Sequence, residues 1–243
     1  MKNPEQVAYD NREKQQFSFQ VRVVGLDELV ADLDSIAARI SSVASDGFGP
    51  GKEMSPERIA RRLSKEPYVI LAEEGQELVG FQFQSLHETD TQKYLYYSRV
   101  IKKNKQGKGI AQMLLSGAID AYAPTVIGAR SQNPAEILSF TKAMRRRGIA
   151  KVYPFTTEEE KLATQSTLIE FLEVIGFSDK VDLLTGLGQQ SYPEGRLGDY
   201  EIHLNNPEIV RIEDYLISIG LSRADGDSVF YFAQLANAKN NDK

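Results

Sequence analysis

The residues Gln106-Gly107-Lys108-Gly109-Ile110-Ala111 decide how this chain folds, and they lie between two patterns of regular structure. An apolar, β-rich run precedes them at residues 94–101, and apolar residues recur at helical spacing after them, to residue 122. Glycines in such a loop let the backbone approach an anion closely, and the first turn of a helix offers unpaired N–H groups and a positive dipole end. The order strand, glycine loop, helix therefore predicts a phosphate-binding loop, to which four lysines within residues 102–108 add positive charge.

The composition of the chain excludes several kinds of site. Its 243 residues are 41% hydrophobic and 26% charged, as is usual for a globular protein. They include no cysteine, which excludes thiolate ligands and cysteine nucleophiles, and only two histidines, so we expect no metal site. A net charge of −5 disfavours nucleic acid and anionic membranes as partners. The polar residues 1–16 contain no apolar secretory segment, so we expect a cytoplasmic protein.

Hydrophobic periodicity predicts the element order β-α-α-β-β-β-α-β-α up to residue 148. We expect strands at residues 17–24, 68–72, 77–83, 94–101 and 125–129, and helices at residues 26–43, 55–65, 109–122 and 134–147. A glycine-rich loop is expected at residues 46–51. Further on, a capping box of Thr157 and Glu160 predicts a helix at residues 157–175, followed by a helix at 208–219 and a strand at 228–233. Shorter strands are expected at residues 151–155 and 199–204.

Two nucleotide-binding motifs do not fit the glycine loop. A P-loop needs a hydroxyl residue after its lysine, whereas Lys108 is followed by Gly109. A dinucleotide fingerprint needs a third glycine, which Gln112 replaces here, and it follows the first strand of a βαβ unit rather than a fourth strand. Neither ATP nor a nicotinamide dinucleotide is therefore the expected ligand of this loop.

The hexamer and the element order together resemble the GCN5-related N-acetyltransferase (GNAT) family, whose loop reads Gln/Arg-Gly-x-Gly-Ile/Val-Gly/Ala between a strand and a helix. The resemblance implies an α+β fold, in which a mixed, mostly antiparallel central sheet is flanked by helices, with a C-terminal insertion. It divides the chain into five parts. These are an N-terminal tail (residues 1–16), a core (17–148), an insertion (149–227), a final core strand (228–235) and a second tail (236–243).

The same resemblance implies acetyl-CoA as the co-substrate. The pyrophosphate would lie against the loop and helix start, formed by Gln106, Gly107, Lys108, Gly109, Ile110, Ala111 and Gln112. Lys103, Lys105 and Lys108 are candidates to pair with CoA phosphates, or else ordinary surface lysines. Main-chain groups near Val100 and Ile101 would pair with the pantetheine arm, and one N–H there would polarise the thioester carbonyl. Asn133 matches a family landmark after the fifth strand and could equally be a helix N-cap.

The catalytic residues are less clear from the sequence. The family often has a tyrosine as general acid where this chain has Phe140, which cannot donate a proton. Tyr97 and Tyr96 point to opposite faces of the fourth strand, so one of them could line the site, and Tyr97 is the candidate catalytic residue. Glu88 is the candidate general base, with Asp90 as an alternative, although either could be an ordinary loop carboxylate.

The resulting hypothesis is an acetyl-CoA-dependent N-acetyltransferase that acts directly on a primary amine. One alternative is a non-catalytic acyl-CoA-binding protein of the same fold, which the missing tyrosine favours. Another is a relative that modifies a protein or an aminoacyl-tRNA, of which the acidic balance disfavours the tRNA. The acceptor is expected to be a small-molecule or peptide amine. The insertion at residues 149–227 is expected either to cover the acceptor side of the site or to form a homodimer contact.

Overall fold

The structure is a computed structural model that describes residues 19–49, 51–52, 54–193, 195–198, 200, 202 and 204–235. The predicted tails at residues 1–16 and 236–243 lie outside this part of the chain. Its strands are β1 Phe19–Val23, β2 Tyr68–Glu74, β3 Glu77–Glu88, β4 Lys93–Ile101, β5 Val126–Ser131, β6 Leu187–Gly188 and β7 Ser228–Gln234. Its α-helices are α1 Leu26–Ala31, α2 Leu33–Phe48, α3 Pro56–Lys65, α4 Ile110–Tyr122, α5 Pro134–Arg146, α6 Glu158–Val174 and α7 Pro207–Ser218.

One sheet runs through the molecule in the order β1-β2-β3-β4-β5-β7-β6. Its neighbouring strands are antiparallel except for β4 and β5, which are parallel. This confirms the predicted α+β class, with a mixed, mostly antiparallel sheet flanked by helices. The parallel pair is short, because only residues 94–96 of β4 pair with residues 126–128 of β5. Beyond that point β4 continues beside β3 and β5 continues beside β7, so the two strands part.

Helices cover both faces of the sheet. On the face that we call the α4 face, buried residues of α4, α5 and α7 pack with Leu95, Ile127 and Tyr231. On the opposite face, the α3 face, α1, α2 and α3 cover β2 and β3, while Phe171 of α6 packs with Tyr94 and Phe230. Because side chains alternate along a strand, each face takes every second residue of β4 and β5.

Three predicted helix starts are confirmed by their capping contacts. The Ser55 hydroxyl accepts from the Arg58 N–H at 3.3 Å and the Asn133 amide oxygen from the Ala135 N–H at 2.9 Å, each before a proline in the first turn. Thr157 and Glu160 form the reciprocal capping box of α6. In each case a short polar side chain satisfies an N–H that the helix itself cannot pair, which is why these starts were readable from sequence.

The structure corrects the prediction for residues 26–51. The expected helix at residues 26–43 is divided at Asp32 into α1 and α2, and α2 runs on through Gly47 to Phe48, where a glycine loop was predicted. Gly47 serves close packing rather than a turn, since a Cβ on it would lie 2.3 Å from Val100 Cγ1 and 3.0 Å from the Ile101 carbonyl oxygen. The helix ends at Phe48 and is followed by its C-cap Gly49, whose φ is +85°.

The region after α5 also differs in part from expectation. The strand predicted at residues 151–155 is a single bridge between Tyr153 and Phe232, and the described residues 200, 202 and 204 belong to no strand. β6 was missed because it has only two residues. Residues 149–227 contribute to both faces, since α6 covers the α3 face and α7 packs on α5 on the α4 face. None of the helices in the described ranges is long and apolar enough to cross a membrane.

Candidate functional site

The pairing of β4 with β5 ends at Tyr96 and Gly128, and we call the region between residues 97–101 of β4 and residues 129–131 of β5 the β4–β5 cleft. The Lys102 N–H bonds the Val79 carbonyl of β3 at 3.0 Å. In an antiparallel pair, the main-chain N–H and C=O groups of successive residues point alternately toward and away from the partner strand. Val100, opposite Phe81, therefore also directs these groups to β3, whereas Ile101 directs them to the cleft. Of the two residues predicted to meet a pantetheine arm, the register therefore favours Ile101 as the N–H donor.

The glycine loop leads from β4 into α4. It consists of a 3₁₀ turn at Lys103–Lys105, Gln106, and two glycines with left-handed backbones, Gly107 at φ +76° and Gly109 at φ +82°. A Cβ at either glycine would meet no heavy atom within 4 Å, so space remains open beside the loop. Gly109 is the N-cap of α4, and within the described chain no side chain caps this helix. The first-turn N–H groups of α4 therefore face the loop, as an anion site requires.

Polar contacts hold this loop to the rest of the sheet. The Lys103 N–H donates to Asp46 Oδ2 at 2.7 Å, and Lys102 Nζ lies 2.7 Å from Glu77 Oε1. Lys105 Nζ forms an ion pair with Glu74, and the Gln106 amide donates to the Ile101 carbonyl at 3.1 Å. Lys105 is thus engaged by a carboxylate of β2, and the pairing of Lys103, Lys105 and Lys108 with CoA phosphates stays a prediction.

A buried ion pair links β4 to helices α4 and α5 of the α4 face. The Arg99 side chain is 2% exposed; its Nε lies 2.9 Å from Glu136 Oε2 and its Nη2 2.8 Å from Glu136 Oε1. Its Nη1 donates to the Ala111 carbonyl at 2.5 Å, in the first turn of α4. Burial disfavours the charged guanidinium, but the Glu136 carboxylate outweighs burial and the pKa of Arg99 is raised above its usual value. This bidentate pair was not foreseen from sequence.

Two tyrosine hydroxyls share the same carboxylate. Glu136 Oε1 accepts from the Tyr97 hydroxyl at 3.3 Å and from the Tyr231 hydroxyl at 3.2 Å, and the two hydroxyls lie 3.5 Å apart. Both rings lie against Phe140, with centroid distances of 6.2 and 5.0 Å. Burial raises the pKa of Tyr97 and of Tyr231, so both hydroxyls stay protonated at neutral pH. Tyr231 was missed because its place in β7 indicated only a core aromatic.

The structure does not bring Glu88 to this cluster. Glu88 ends β3, is exposed, and forms an ion pair of 2.8 Å with Lys93, the residue opposite it in β4. Lys93 precedes Tyr97 by four residues, which corresponds to roughly 13 Å along a strand. Asp90 is likewise exposed in the turn between β3 and β4.

Asn133 has a definite local role. Its side chain caps α5 through the Ala135 N–H, and its own N–H donates to the Ser131 hydroxyl at 2.9 Å. The prediction that Asn133 is a helix N-cap is therefore confirmed. A contact between Asn133 and CoA stays a prediction. In the described ranges, no group of three or more histidine, aspartate and glutamate residues is placed to hold a metal ion.

A segment of the long insertion reaches the cleft from the α3 face. Gln132 follows β5, is 2% exposed, and accepts from the Leu197 N–H at 3.0 Å through its side-chain oxygen. The next residue, Gly198, lies so close to the end of α2 that a Cβ on it would be 3.1 Å from the Phe48 carbonyl oxygen. Residues 195–198 therefore extend from β5 to α2.

Comparison with solved structures returns acetyltransferases. A GNAT superfamily phosphinothricin acetyltransferase from Sinorhizobium meliloti, in complex with acetyl-CoA, is 15% identical, with 90% of this chain and 89% of that chain covered and a TM-score of 0.46. A putative acetyltransferase from Acinetobacter baylyi is 14% identical, covering 93% and 97%, with a TM-score of 0.45. A putative acetyltransferase from Salmonella typhimurium with acetyl-CoA is 17% identical, covering 56% and 80%, with a TM-score of 0.39.

The chain is thus similar, at low identity, to acetyltransferases, one of which is of the GNAT superfamily. No family model matches it, and a comparison with curated proteins gives no match. All three TM-scores lie below 0.5, so what this chain does has to be argued from its own residues.

Proposed function

We propose that this chain is an acyl-CoA-dependent N-acetyltransferase of the GNAT type, which transfers an acetyl group from acetyl-CoA to a primary amine. One observation carries the proposal. Two glycines with left-handed backbones lead into the uncapped first turn of α4, at the end of a strand that has parted from its parallel neighbour. This arrangement offers an anion site and an adjacent open strand edge to one elongated ligand.

The residues of the cleft fit acetyl-CoA. The pyrophosphate would lie against the N–H groups around Gly107, Gly109 and Ala111, where a Cβ on either glycine would project into open space. The pantetheine arm would run along the free edge of β4, where the alternation leaves main-chain groups of Tyr97, Arg99 and Ile101 directed to the cleft. Contacts that hold the loop to Asp46 and Glu74 preorganise it for this ligand.

In the proposed reaction the amine nitrogen attacks the thioester carbonyl carbon, the carbon–sulfur bond breaks, and CoA leaves as a thiolate that takes a proton. Main-chain N–H groups of β4 would stabilise the negative charge that develops on the carbonyl oxygen. We propose Tyr97 as the proton donor to the thiolate, because its hydroxyl stays protonated and lies at the point where the cleft begins. The proton lost by the amine would pass to water, since Glu88 lies at the far end of the β3–β4 hairpin.

A non-catalytic acyl-CoA-binding protein is the second candidate. Phe140 favours it, because it has no hydroxyl, and the neighbouring Tyr97 and Tyr231 hydroxyls are already bonded to Glu136. The two candidates differ in turnover. Release of free thiol from acetyl-CoA with any of a panel of amines, amino acids and peptides would exclude the binding-only protein.

The glycine loop provides the direct test of the donor site. In Gly109→Val, a branched side chain would occupy the space of the pyrophosphate, so we expect the affinity for CoA, measured by calorimetry, to fall at least tenfold. Gly220→Val is the matched control, since Gly220 has a similar φ of +76°, equally open surroundings, and a position after α7. Equal CoA affinity in the two variants would contradict the assignment of the loop.

A further inference from the structure

Two arginines face the β4–β5 cleft from the α3 face. Arg62 projects from α3, with its Nη2 donating to the Ser98 hydroxyl of β4 at 2.9 Å and its guanidinium 4.2 Å from the centre of the Phe83 ring. Arg130 lies on β5, two residues beyond the last residue paired with β4. Ser98 stands at the equivalent distance beyond the pairing on β4, so the two guanidinium groups flank the cleft. We call Arg62, Arg130 and Ser98 the two-arginine site.

The guanidinium of Arg130 is held by aromatic rings. It lies 4.4 Å from the centre of the Phe177 ring and 4.5 Å from that of Tyr192. The Tyr192 hydroxyl donates to the Arg130 carbonyl at 3.1 Å, which fixes this ring beside β5. Stacking on ring faces suits a guanidinium and supplies no negative charge to balance it. The rings therefore orient Arg130 without neutralising it.

The positive charge of the site is not balanced within the described chain. One carboxylate, Glu66, pairs with Arg62 at 3.4 Å, and no ion pair of the described residues includes Arg130. Arg130 Nη1 is buried and has no hydrogen-bond partner there. The pKa of Arg62 is lowered mainly by burial, and the positive charge of Arg130 lowers it further. A buried guanidinium N–H without an acceptor is costly, so such a site favours an anion as its partner.

The site lies beside the reacting end of the proposed donor. Tyr96, the last residue of β4 paired with β5, is partly buried on the α3 face; burial raises its pKa, and the charges of Arg130 and Arg62 oppose this shift. Tyr97, the next residue, begins the cleft on the α4 face. An anion held by Arg62 and Arg130 would thus lie on the face of β4 opposite to Tyr97 and to the glycine helix, next to the strand position where the proposed cleft begins.

We propose that the acceptor is a small amine that carries a carboxylate, such as a free amino acid, and that the two-arginine site binds this carboxylate. The inference rests on the proposed transferase function and names its acceptor class. Carboxylate matches the planar fork of a guanidinium and can be bound by both N–H donors at once. A small acceptor fits because Tyr192 and residues 195–198 of the insertion extend over this face of the cleft.

The first test compares acids with matched neutral acceptors. Thiol release from acetyl-CoA is measured with the twenty protein amino acids and with their methyl esters, which keep the amine and the side chain but remove the negative charge. We expect at least one free acid to be acetylated with a kcat/KM at least tenfold above that of its ester. The amines of the esters are less basic, so a larger fraction of them is unprotonated and able to react at neutral pH. A preference for the free acids could therefore not come from the reactivity of the amine. Esters that serve as well as the acids would overturn the inference while leaving the transferase in place.

The second test removes the arginines. In Arg130→Gln and in Arg62→Gln, we expect KM for the preferred acid to rise at least tenfold, with KM for acetyl-CoA unchanged. Arg61→Gln is the matched control, because Arg61 is the exposed neighbour of Arg62 on α3. Arg130→Lys keeps the charge and the stem if Arg130→Gln fails to fold, and should still raise KM because it loses the planar fork. An unchanged KM in the folded variants would contradict the site.

A binding measurement separates this inference from the transferase proposal. If acetyl-CoA is not turned over with any amine, saturation-transfer NMR of the same amino acids with the wild type and Arg130→Gln still reports on the site. Binding that Arg130→Gln abolishes would support the anion site even though transfer had failed. No binding of any amino acid to the wild type would overturn it.

Discussion

At the scale of single residues, the cluster around Phe140 shows how the chain can keep a proton donor without a tyrosine at that position. Tyr97 and Tyr231 come from different strands and place their hydroxyls on one carboxylate, beside the Phe140 ring. Tyr97 is nearer the cleft, because it is the first residue of β4 beyond the pairing with β5. The two hydroxyls are therefore expected to differ in their effect on catalysis.

We expect Tyr97→Phe to lower kcat by about 100-fold, within the range for loss of one general acid. Tyr231→Phe removes the neighbouring hydroxyl and should lower kcat less, because Tyr97 keeps its bond to Glu136. Steady-state thiol release measures both effects, with Tyr68→Phe as a control at a half-exposed tyrosine of β2. If both cluster variants keep the wild-type kcat, the proton reaches the thiolate from elsewhere.

The Arg99–Glu136 pair provides a prediction about stability at the same scale. Arg99→Met leaves the Glu136 carboxylate half-buried without its guanidinium, so the free energy of unfolding should fall by about 3–5 kcal/mol. The double variant Arg99→Met/Glu136→Gln removes both charges, keeps an acceptor for the Tyr97 and Tyr231 hydroxyls, and should recover most of this loss. Denaturant titration of the three proteins checks the prediction. A double variant as unstable as the single one would show that the pair contributes net stability.

At the scale of elements, the close approach of α2 to β4 positions the loop. Gly47 lets the helix contact the strand at Val100 and Ile101, and the preceding Asp46 accepts the hydrogen bond from the Lys103 N–H. A glycine inside a helix weakens the helix itself, so its presence here follows from packing. The end of α2 thereby positions the glycine loop relative to the sheet.

Gly47→Ala should therefore act on both stability and the donor site. A Cβ 2.3 Å from Val100 Cγ1 must move the helix or the strand, which we expect to cost about 1–3 kcal/mol in the free energy of unfolding and to weaken CoA binding. Gly25→Ala is the control, since a Cβ there meets nothing within 4 Å and its φ is −71°. Denaturant titration and calorimetry measure the two effects. A Gly47→Ala protein as stable as Gly25→Ala would show that the contact relaxes without cost.

At the scale of the whole molecule, residues 149–227 join the two faces of the sheet and meet the cleft through Gln132. The Gln132 side chain accepts from the Leu197 N–H, while its carbonyl accepts from Arg223 Nε at 3.1 Å. Arg223 in turn forms a bidentate pair with Glu213 of α7, at 3.0 and 2.5 Å. One residue at the end of β5 thus fixes two distant parts of the insertion.

Gln132→Ala is expected to loosen residues 195–198 without unfolding the sheet. Removal of the buried acceptor leaves the Leu197 N–H unpaired, so amide hydrogen exchange in a peptide covering these residues should accelerate at least tenfold. Gln189→Ala, at an exposed position of the insertion, is the control and should leave exchange at residues 195–198 unchanged. Equal exchange in the two variants would show that Gln132 does not hold this segment.

The sequence predicted the elements wherever local signals agreed. Ser55, Asn133 and Thr157 each cap a helix that begins at the next residue. The loop at residues 106–111 likewise combines a strand end, a turn and a helix start in one stretch. Where a signal had two physical meanings the prediction failed, as at Gly47, because a glycine that permits a turn also permits close packing. The short β6 and the single bridge at Tyr153 have too few residues to form a pattern.

The sequence by itself therefore determined most of the element order up to α5 and the loop between β4 and α4, because each depends on neighbours along the chain, and the resemblance carried by that loop implied the α+β class. Only the tertiary structure decided which distant charges meet. Arg99 and Glu136 are 37 residues apart, and Arg62 and Arg130 are brought to one cleft by the packing of α3 and the parting of β4 from β5. No local pattern encodes such meetings, since they depend on which face of a strand each side chain takes and on where two strands cease to pair.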